Sequence, residues 1–425
     1  MERESMVQTL RAAIIGTGMI SHRHMTIYRH INEQAESPGF RVEIAAVAEI
    51  DKDRLDVWAK QYGIDEKDCY LDYHDMFKRD DIDWIDVCVY TNYHTPIAIE
   101  VMKAGFDCYC EKPEAASYHD AKLMVDASKK SGRKLHIQMS SLMTAQTRMA
   151  KDYIQSGKIG DPYMMNLEFC LQRRRPGCDL DEFPQQFMST KLAGHGQSVD
   201  LGVYLIGQLL YIMDCPKVKS VMGFAGQFIG YDENKVKVPG GFDVDDTMDG
   251  MVRFENGLNF HYTNTSANNM KNHVMTYILG TKGSLELLAT DTSGGKFARK
   301  NITDGPGFMG EPDIIYHQAI GGDVTSEQLN CDVLGMEAVK KDPMLNYYND
   351  NQCMWIAYKL GILDDNTRYN TPEIALNQLL ITDGMFLSSK LGRSVTYDEI
   401  IENSPSLFPR KQEINGKMYT FDVTF

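Results

Sequence analysis

"RAAIIGTGMIS", residues 11–21, is an apolar run that ends on Gly16-x-Gly18-x-x-Ser21 and passes straight into helix-forming sequence. Each position of that turn has a physical task. The first glycine permits a tight turn, the second lets a pyrophosphate approach the backbone, and the third needs a small side chain where helix meets sheet. A helix that starts here presents free N–H groups and its positive dipole end to phosphates. Lying between a strand and a helix at the start of the chain, Gly16, Gly18, Met19 and Ile20 read as a dinucleotide-binding turn.

Such a site needs a carboxylate at the end of the second strand, to accept hydrogen bonds from ribose hydroxyls. "AAVAEIDKD" (45–53) supplies Glu49, and the long spacing from Gly16 matches the loop "NEQAESPGF". A carboxylate repels a 2′-phosphate, so NAD is expected rather than NADP.

The same rhythm continues to about residue 140. Strand candidates are 11–16, 41–50, "WIDVCVY" (84–90), "FDCYCE" (106–111) and "KLHIQMS" (134–140). Amphipathic stretches separate them, among them "DRLDVWAKQYG" and "TPIAIEVMKAG", the latter with Pro96 in its first turn. Strands interleaved with helices imply a doubly wound parallel sheet. After a helix in "AQTRMAKDYIQSGKIG", consecutive strand patterns follow from "YMMNLEFCLQ" to "VMTYILGTKGSLELLAT", with hairpin turns at "FENG" and "LGTKGS". The chain is therefore α/β: a Rossmann domain over 1–140, then an α+β domain with a large, mainly antiparallel open sheet over 141–425, whose last helices pack back on the first domain.

Composition removes several functional classes. The formal charge is −15 and the dense basic cluster is Arg173-Arg174-Arg175, which disfavours nucleic acid. "LGVYLIGQLLYIM" (201–213) is too short to span a bilayer, so no membrane partner is expected. Nine scattered cysteines fit buried thiols in a reducing cytoplasm, and Cys108-x-Cys110 lacks a second pair at zinc spacing, so no metal is expected.

In open α/β sheets, ligands sit outside the carboxyl ends of the strands. Four polar clusters fall there: Gly16 to Ser21, Glu49, "YTNYH" (90–94) and Glu111-Lys112-Pro113. A lysine in that position, aimed by the proline ring, can hold a substrate hydroxyl or lower the pKa of a neighbouring base.

"GTGMISHRH", "AVAEIDKDR", "YHTPIAIEVMKAGFDCYCEKP" and "AGHGQSVDLGVYLIGQLLYIM", in that order, resemble the glucose–fructose oxidoreductase, inositol dehydrogenase and rhizopine-catabolism family (Gfo/Idh/MocA). The resemblance, whose most specific mark is Glu-Lys-Pro, implies a two-domain NAD(P)-dependent oxidoreductase for sugars or polyols, commonly a homodimer or homotetramer joined through the open sheet. It implies a cofactor lined by Gly16, Gly18, Met19, Ile20, Glu49, Tyr90, Thr91, Asn92, His94, Glu111 and Lys112. It also points to Asp200-Leu201-Gly202-Val203-Tyr204, where Tyr204 replaces the family's histidine. At a spacing of four, Asp200 and Tyr204 lie on one helical face, and both can point at one ligand. Tyr204 is then the acid/base, Lys112 favours its phenolate, and Asp200 orients the lysine or takes the proton itself. His195, where the family usually has glycine, and Arg174 in "LQRRRPG" are expected at the substrate, and His24 also matches a family position. Two segments depart from the pattern, Val89-Tyr90-Thr91 and Gln138-Met139-Ser140-Ser141.

The expected chemistry is hydride transfer between a secondary alcohol of a sugar, polyol or glycoside and NAD. A redox-neutral glycoside-cleaving enzyme with tightly held NAD is the alternative, and a silent sugar-nucleotide or NAD-responsive binding protein is a third reading.

Overall fold

β1 (Gln8–Ile15), β2 (Phe40–Ala48), β3 (Cys69–Tyr70), β4 (Trp84–Val87), β5 (Asp107–Cys110) and β6 (Leu135–Ile137) form one sheet in the computed structural model. That structure describes residues 7–33, 39–180, 185–232, 241–289, 313–320, 322–331, 333–334, 337, 340, 351–361 and 370–424. The strands are parallel, in the order β3-β2-β1-β4-β5-β6. Ala12 to Ile14 of β1 and all of β4 are buried, as a sheet covered by helices on both faces requires. Strand order reverses between β1 and β4, which opens a crevice at their carboxyl ends.

One helix boundary differs from the sequence expectation. The helix after β4 spans Thr91–Lys103 with Tyr90 as its N-cap, so Pro96 lies inside it rather than in its first turn. Proline has no N–H, and the ladder bond to the Asn92 carbonyl cannot form. Tertiary anchors outweigh that local loss. The Asn92 amide donates to the Thr190 and Lys191 carbonyls at 2.8 and 2.7 Å. The "YTNYH" cluster is thus a helix N-terminus aimed over the sheet edge.

The second sheet comprises β7 (Pro162–Gln172), β8 (Val218–Gly226), β9 (Thr247–Phe254), β10 (Asn259–Asn268), β11 (His273–Gly280), β12 (Gly283–Leu287), β13 (Ile314–Ile320), β14 (Asp323–Leu329) and β15 (Val395–Thr396). Its order is β14-β13-β12-β11-β7-β10-β9-β8-β15. The β7–β10 pair is parallel and the other pairs are antiparallel. The hairpins at Asn256-Gly257 and Thr281-Lys282 stand where the turn residues place them. The β13–β14 hairpin and the short β3 have no counterpart in the sequence reading.

Three later segments return to the first sheet. Helix Asn351–Lys359 drives Trp355, 0% exposed, among Leu10, Ile27, Trp84 and Tyr109. Helix Thr371–Leu391 is apolar around its circumference, because it packs both on helix Tyr118–Ser131 of the first domain and on β8 of the second. The hairpin of β16 (Lys411–Ile414) and β17 (Lys417–Thr420) stacks Tyr419 on His74 with 4.1 Å between ring centroids, and its hydroxyl donates to Asp72. No described helix is long and apolar enough to cross a membrane.

Replacing Trp355 by alanine tests this return. Chemical denaturation should show a loss of about 3–5 kcal/mol, as for other buried aromatic truncations. A loss near zero would mean that the helix does not dock on the first sheet.

Candidate functional site

Gly16 has φ 95°, and a Cβ there would stand 2.5 Å from the Cys88 carbonyl oxygen. Glycine is therefore required twice over, for the left-handed backbone and for the close approach of β1 and β4. Gly18 is different: no described atom lies within 4 Å of where its Cβ would be, so the backbone is open to a ligand. Ser21 is buried at the helix–sheet contact, where its hydroxyl donates to the Gly18 carbonyl at 2.7 Å and accepts from Trp58 Nε1. Met19 is exposed at the start of helix Met19–Glu33, and Ile20 packs toward Trp58.

The Glu49 carboxylate lies beside this turn. It accepts from the Thr17 amide and hydroxyl, both at 2.9 Å, and from the Asp51 amide at 3.1 Å. A carboxylate has about four acceptor positions, so room remains for a ribose hydroxyl. Arg54 stands 3.6 Å from it. The open face at Gly18, the helix N-terminus and the held acid together fit a dinucleotide.

Lys112 follows β5 and precedes Pro113, with a cis peptide between them. Its Nζ donates to Asp200 Oδ1 at 2.7 Å and to the Asp200 carbonyl at 3.1 Å, and lies 4.9 Å from the centre of the Tyr204 ring. Burial alone would lower the pKa of the amine. Asp200, Tyr204 and Glu111 outweigh burial and hold it above the usual lysine range. Asp200 and Tyr204 do not share one helix, as their spacing implied. Asp200 ends helix Gln197–Asp200, and Tyr204 belongs to helix Gly202–Ile212. The break at Leu201 leaves the Asp200 carbonyl free to accept from Lys112, and both side chains still meet the amine.

A narrow crevice lies here. Thr91, Pro113 and Ala115 line it from the first domain, and Phe187, Ala193, His195, Val199 and Asp200 from the second. His195 stacks on Phe386 at 4.5 Å. Around the turn from Gly194 to Gly196, three buried atoms have no hydrogen-bond partner among the described residues: His195 Nε2, Asn92 Oδ1 and Asp245 Oδ2. Tyr90 is exposed at the helix N-cap.

The remaining expected residues face elsewhere. His94 is 1% exposed, with its ring nitrogens 2.8 and 3.1 Å from the Pro113 and Val89 carbonyls, and burial lowers its pKa. It thus braces the Glu-Lys-Pro turn against the end of β4. Both oxygens of Glu111 are taken up, one by His24 at 2.7 Å and one by the Lys112 amide at 2.9 Å. Arg174 is held by its backbone, amide to Ser266 and carbonyl to Gln197. Its neighbour Arg175 is 1% exposed and pairs with Asp179 at 2.8 Å, so part of the basic cluster is internal. Among the described residues, His24, Asp86 and Cys88 form a group with metal-ligand chemistry. Burial pushes the Cys88 thiol up to about 12, and both nitrogens of His24 already face carboxylates.

A family profile described as "Oxidoreductase family, NAD-binding Rossmann fold" matches residues 10–139, and "GFO/IDH/MocA C-terminal domain" matches 147–286. The chain belongs to the Gfo/Idh/MocA oxidoreductases. NAD is the cofactor of this Rossmann domain. The chain is 25% identical to D-glucoside 3-dehydrogenase of Escherichia coli K12 over 58% of its own length and 68% of that protein's. It is 30% identical to inositol 2-dehydrogenase of Salmonella typhimurium LT2, over 37% of its own length and 45% of the relative's. The chain thus matches under half the length of the inositol enzyme. A crystal structure of an NAD binding oxidoreductase from Klebsiella pneumoniae shares the fold, with TM-score 0.69 at 19% identity, covering 92% of this chain and 99% of that one.

Within the Gfo/Idh/MocA frame, sequence reasoning overlooked Asp86 and Asp245. Asp86 is an acid in the middle of the apolar run "WIDVCV", and Asp245 belongs to the acidic "FDVDD"; both signals were present. Asp245 accepts from the Gly196 amide at 2.7 Å and so shapes the turn that carries His195.

Glu49→Ala should weaken NAD binding on the order of tenfold, the worth of a hydrogen bond to a charged group, and should narrow the preference over NADP. Titration of both cofactors checks this, and an unchanged affinity ratio would remove Glu49 from cofactor selection.

Proposed function

We propose that this protein transfers a hydride between a secondary alcohol of a neutral sugar, polyol or glycoside and NAD. The observation that carries the reading is the meeting of Lys112 with Asp200 and Tyr204, two stretches of chain brought together beside the crevice that Pro113 and Asp200 line. Bound NAD would accept the hydride from the carbinol carbon. In the oxidation direction, the Lys112 ammonium holds the reacting hydroxyl and stabilises negative charge developing on its oxygen. The Tyr204 phenolate takes the hydroxyl proton, and the carbinol C–H pair leaves as hydride, so a ketone forms and one proton is released. Asp200 fixes the amine by accepting from it at 2.7 Å. Thr91 and Pro113 line the crevice from the first domain.

One observation supports a neutral polyhydroxyl substrate. The Lys112 charge is matched by Asp200, which leaves little surplus positive charge there for a phosphate or carboxylate. The names of the relatives, a glucoside and an inositol dehydrogenase, agree with that class.

Lys112→Met decides the matter, with methyl β-D-glucoside, levoglucosan and myo-inositol as substrates and NADH absorbance as the readout. Turnover should fall by roughly 10²–10⁴-fold, the range of a lost acid–base partner, while NAD binding persists. Near-normal turnover in the variant would remove Lys112 from the mechanism. Product release without net NADH, from enzyme that copurifies with NAD, would replace this reading by the redox-neutral glycoside cleavage.

A further inference from the structure

We infer that His24 is a positioning residue for Lys112, acting through Glu111 and anchored by Asp86. The inference rests on the reading of Lys112 as the group that holds the reacting hydroxyl.

The geometry is a closed chain of short contacts. His24 Nδ1 is 2.7 Å from Asp86 Oδ2, and His24 Nε2 is 2.7 Å from Glu111 Oε1. Glu111 Oε2 then accepts from the Lys112 amide at 2.9 Å. Neutral imidazole has one N–H. With a carboxylate at hydrogen-bond distance on each side, the arrangement is satisfied by an imidazolium that donates twice. His24 is 1% exposed, Asp86 0% and Glu111 3%, so water does not supply the missing partners.

Sheet alternation explains how the acids come to lie on one side. Trp84 and Asp86 point to one face of β4, and Tyr109 and Glu111 continue the same face from β5. Helix Met19–Glu33 covers that face, with its His24 ring 5.6 Å from the Tyr109 ring. The groups facing His24 are Asp86 and Cys88 from β4 and the residue following it, and Tyr109 and Glu111 from β5 and its end. Tyr28, on the same helix as His24, donates to Asp86 at 3.0 Å. Burial works against the charged ring, but Asp86 and Cys88 raise its pKa well above the ordinary value. Burial would likewise raise Glu111, and the His24 contact holds its pKa below the usual carboxylate value.

The consequence is mechanical and electrostatic. Lys112 is tied at its amide by Glu111 and at its amine by Asp200, so the side chain spans two fixed points. Losing the first tie lets the turn shift while Asp200 still pulls on the amine. A misplacement of about 1 Å at a reacting group costs on the order of 100-fold in rate.

The test uses the full-length enzyme and the variants His24→Gln and Glu111→Gln, with the sugar assay described above. Either variant should lower kcat by on the order of 10- to 100-fold with little change in KM or in NAD affinity. Combined with Lys112→Met, either should add no further loss of turnover, because all act on one group. Losses that add would assign His24 a role outside Lys112 and overturn the inference. Should Lys112→Met alone leave turnover intact, the mechanism itself fails, which is a separate outcome. Two readouts do not need a substrate. ¹⁵N NMR of the His24 ring should show both nitrogens protonated at pH 7, and a neutral ring would overturn the assignment. The raised folded-state pKa also sets a sign: this part of the stability is complete below about pH 6.5 and is lost as pH rises through the folded value. The decline above pH 6.5 should be shallower in His24→Gln, and an unchanged slope would count against the buried charge.

Discussion

The ion pair between Lys112 and Asp200 joins an ammonium at the end of β5 to a carboxylate on the far side of the crevice, at 2.7 Å. Its side chains are 12% and 22% exposed, between the two regimes for which magnitudes are known. Fully exposed pairs contribute about 0–1 kcal/mol, whereas breaking a fully buried pair costs about 3–5 kcal/mol. An intermediate pair is strong enough to set the position of the amine. It does not use up the hydrogen-bonding capacity of the ammonium. A lysine has three donors, and two are committed to the carboxylate and carbonyl of Asp200. One donor is left.

Everything around that pair reduces the freedom of its ends. On the first-domain side, His94 braces Pro113 against Val89, and Glu111 holds the Lys112 amide. On the second-domain side, the Tyr262 hydroxyl donates to the Ser198 carbonyl at 2.6 Å and Asp245 accepts from the Gly196 amide. Asn92 crosses between the two by donating to the Thr190 and Lys191 carbonyls. Gly194 is required by that crossing, since a Cβ there would stand 2.4 Å from the Ala116 Cβ. Separate stretches of the chain converge because backbone carbonyls and amides, rather than further charges, tie them.

Much of the fold was legible because its signals are local. The glycine turn, the buried parallel strands and the Asn-Gly hairpin each follow from a few adjacent residues. Pro96 was misplaced for a non-local reason: propensity put it at a helix start, and the Asn92 and His94 contacts extended the helix past it. Asp200 and Tyr204 meet one partner even though the helix breaks between them, so spacing identified the residues and not the backbone. Glu111 shows the opposite limit. Its position in a functional motif pointed to the cofactor, whereas strand alternation places it on the face of Tyr109, under the first helix.

The exchange of the family's histidine for Tyr204 makes sense beside the other charges. Histidine at that position would be a neutral base near pH 7, and a neighbouring ammonium would lower its basicity by repelling the protonated form. A phenol responds in the opposite sense: its charged form is the anion, which the ammonium attracts. The Lys112 amine lies 4.9 Å from the ring centre and is held protonated by Asp200, Tyr204 and Glu111. The cation that would impair a histidine therefore assists a tyrosine. Asp200 and Glu111 both favour the charged amine beside that ring.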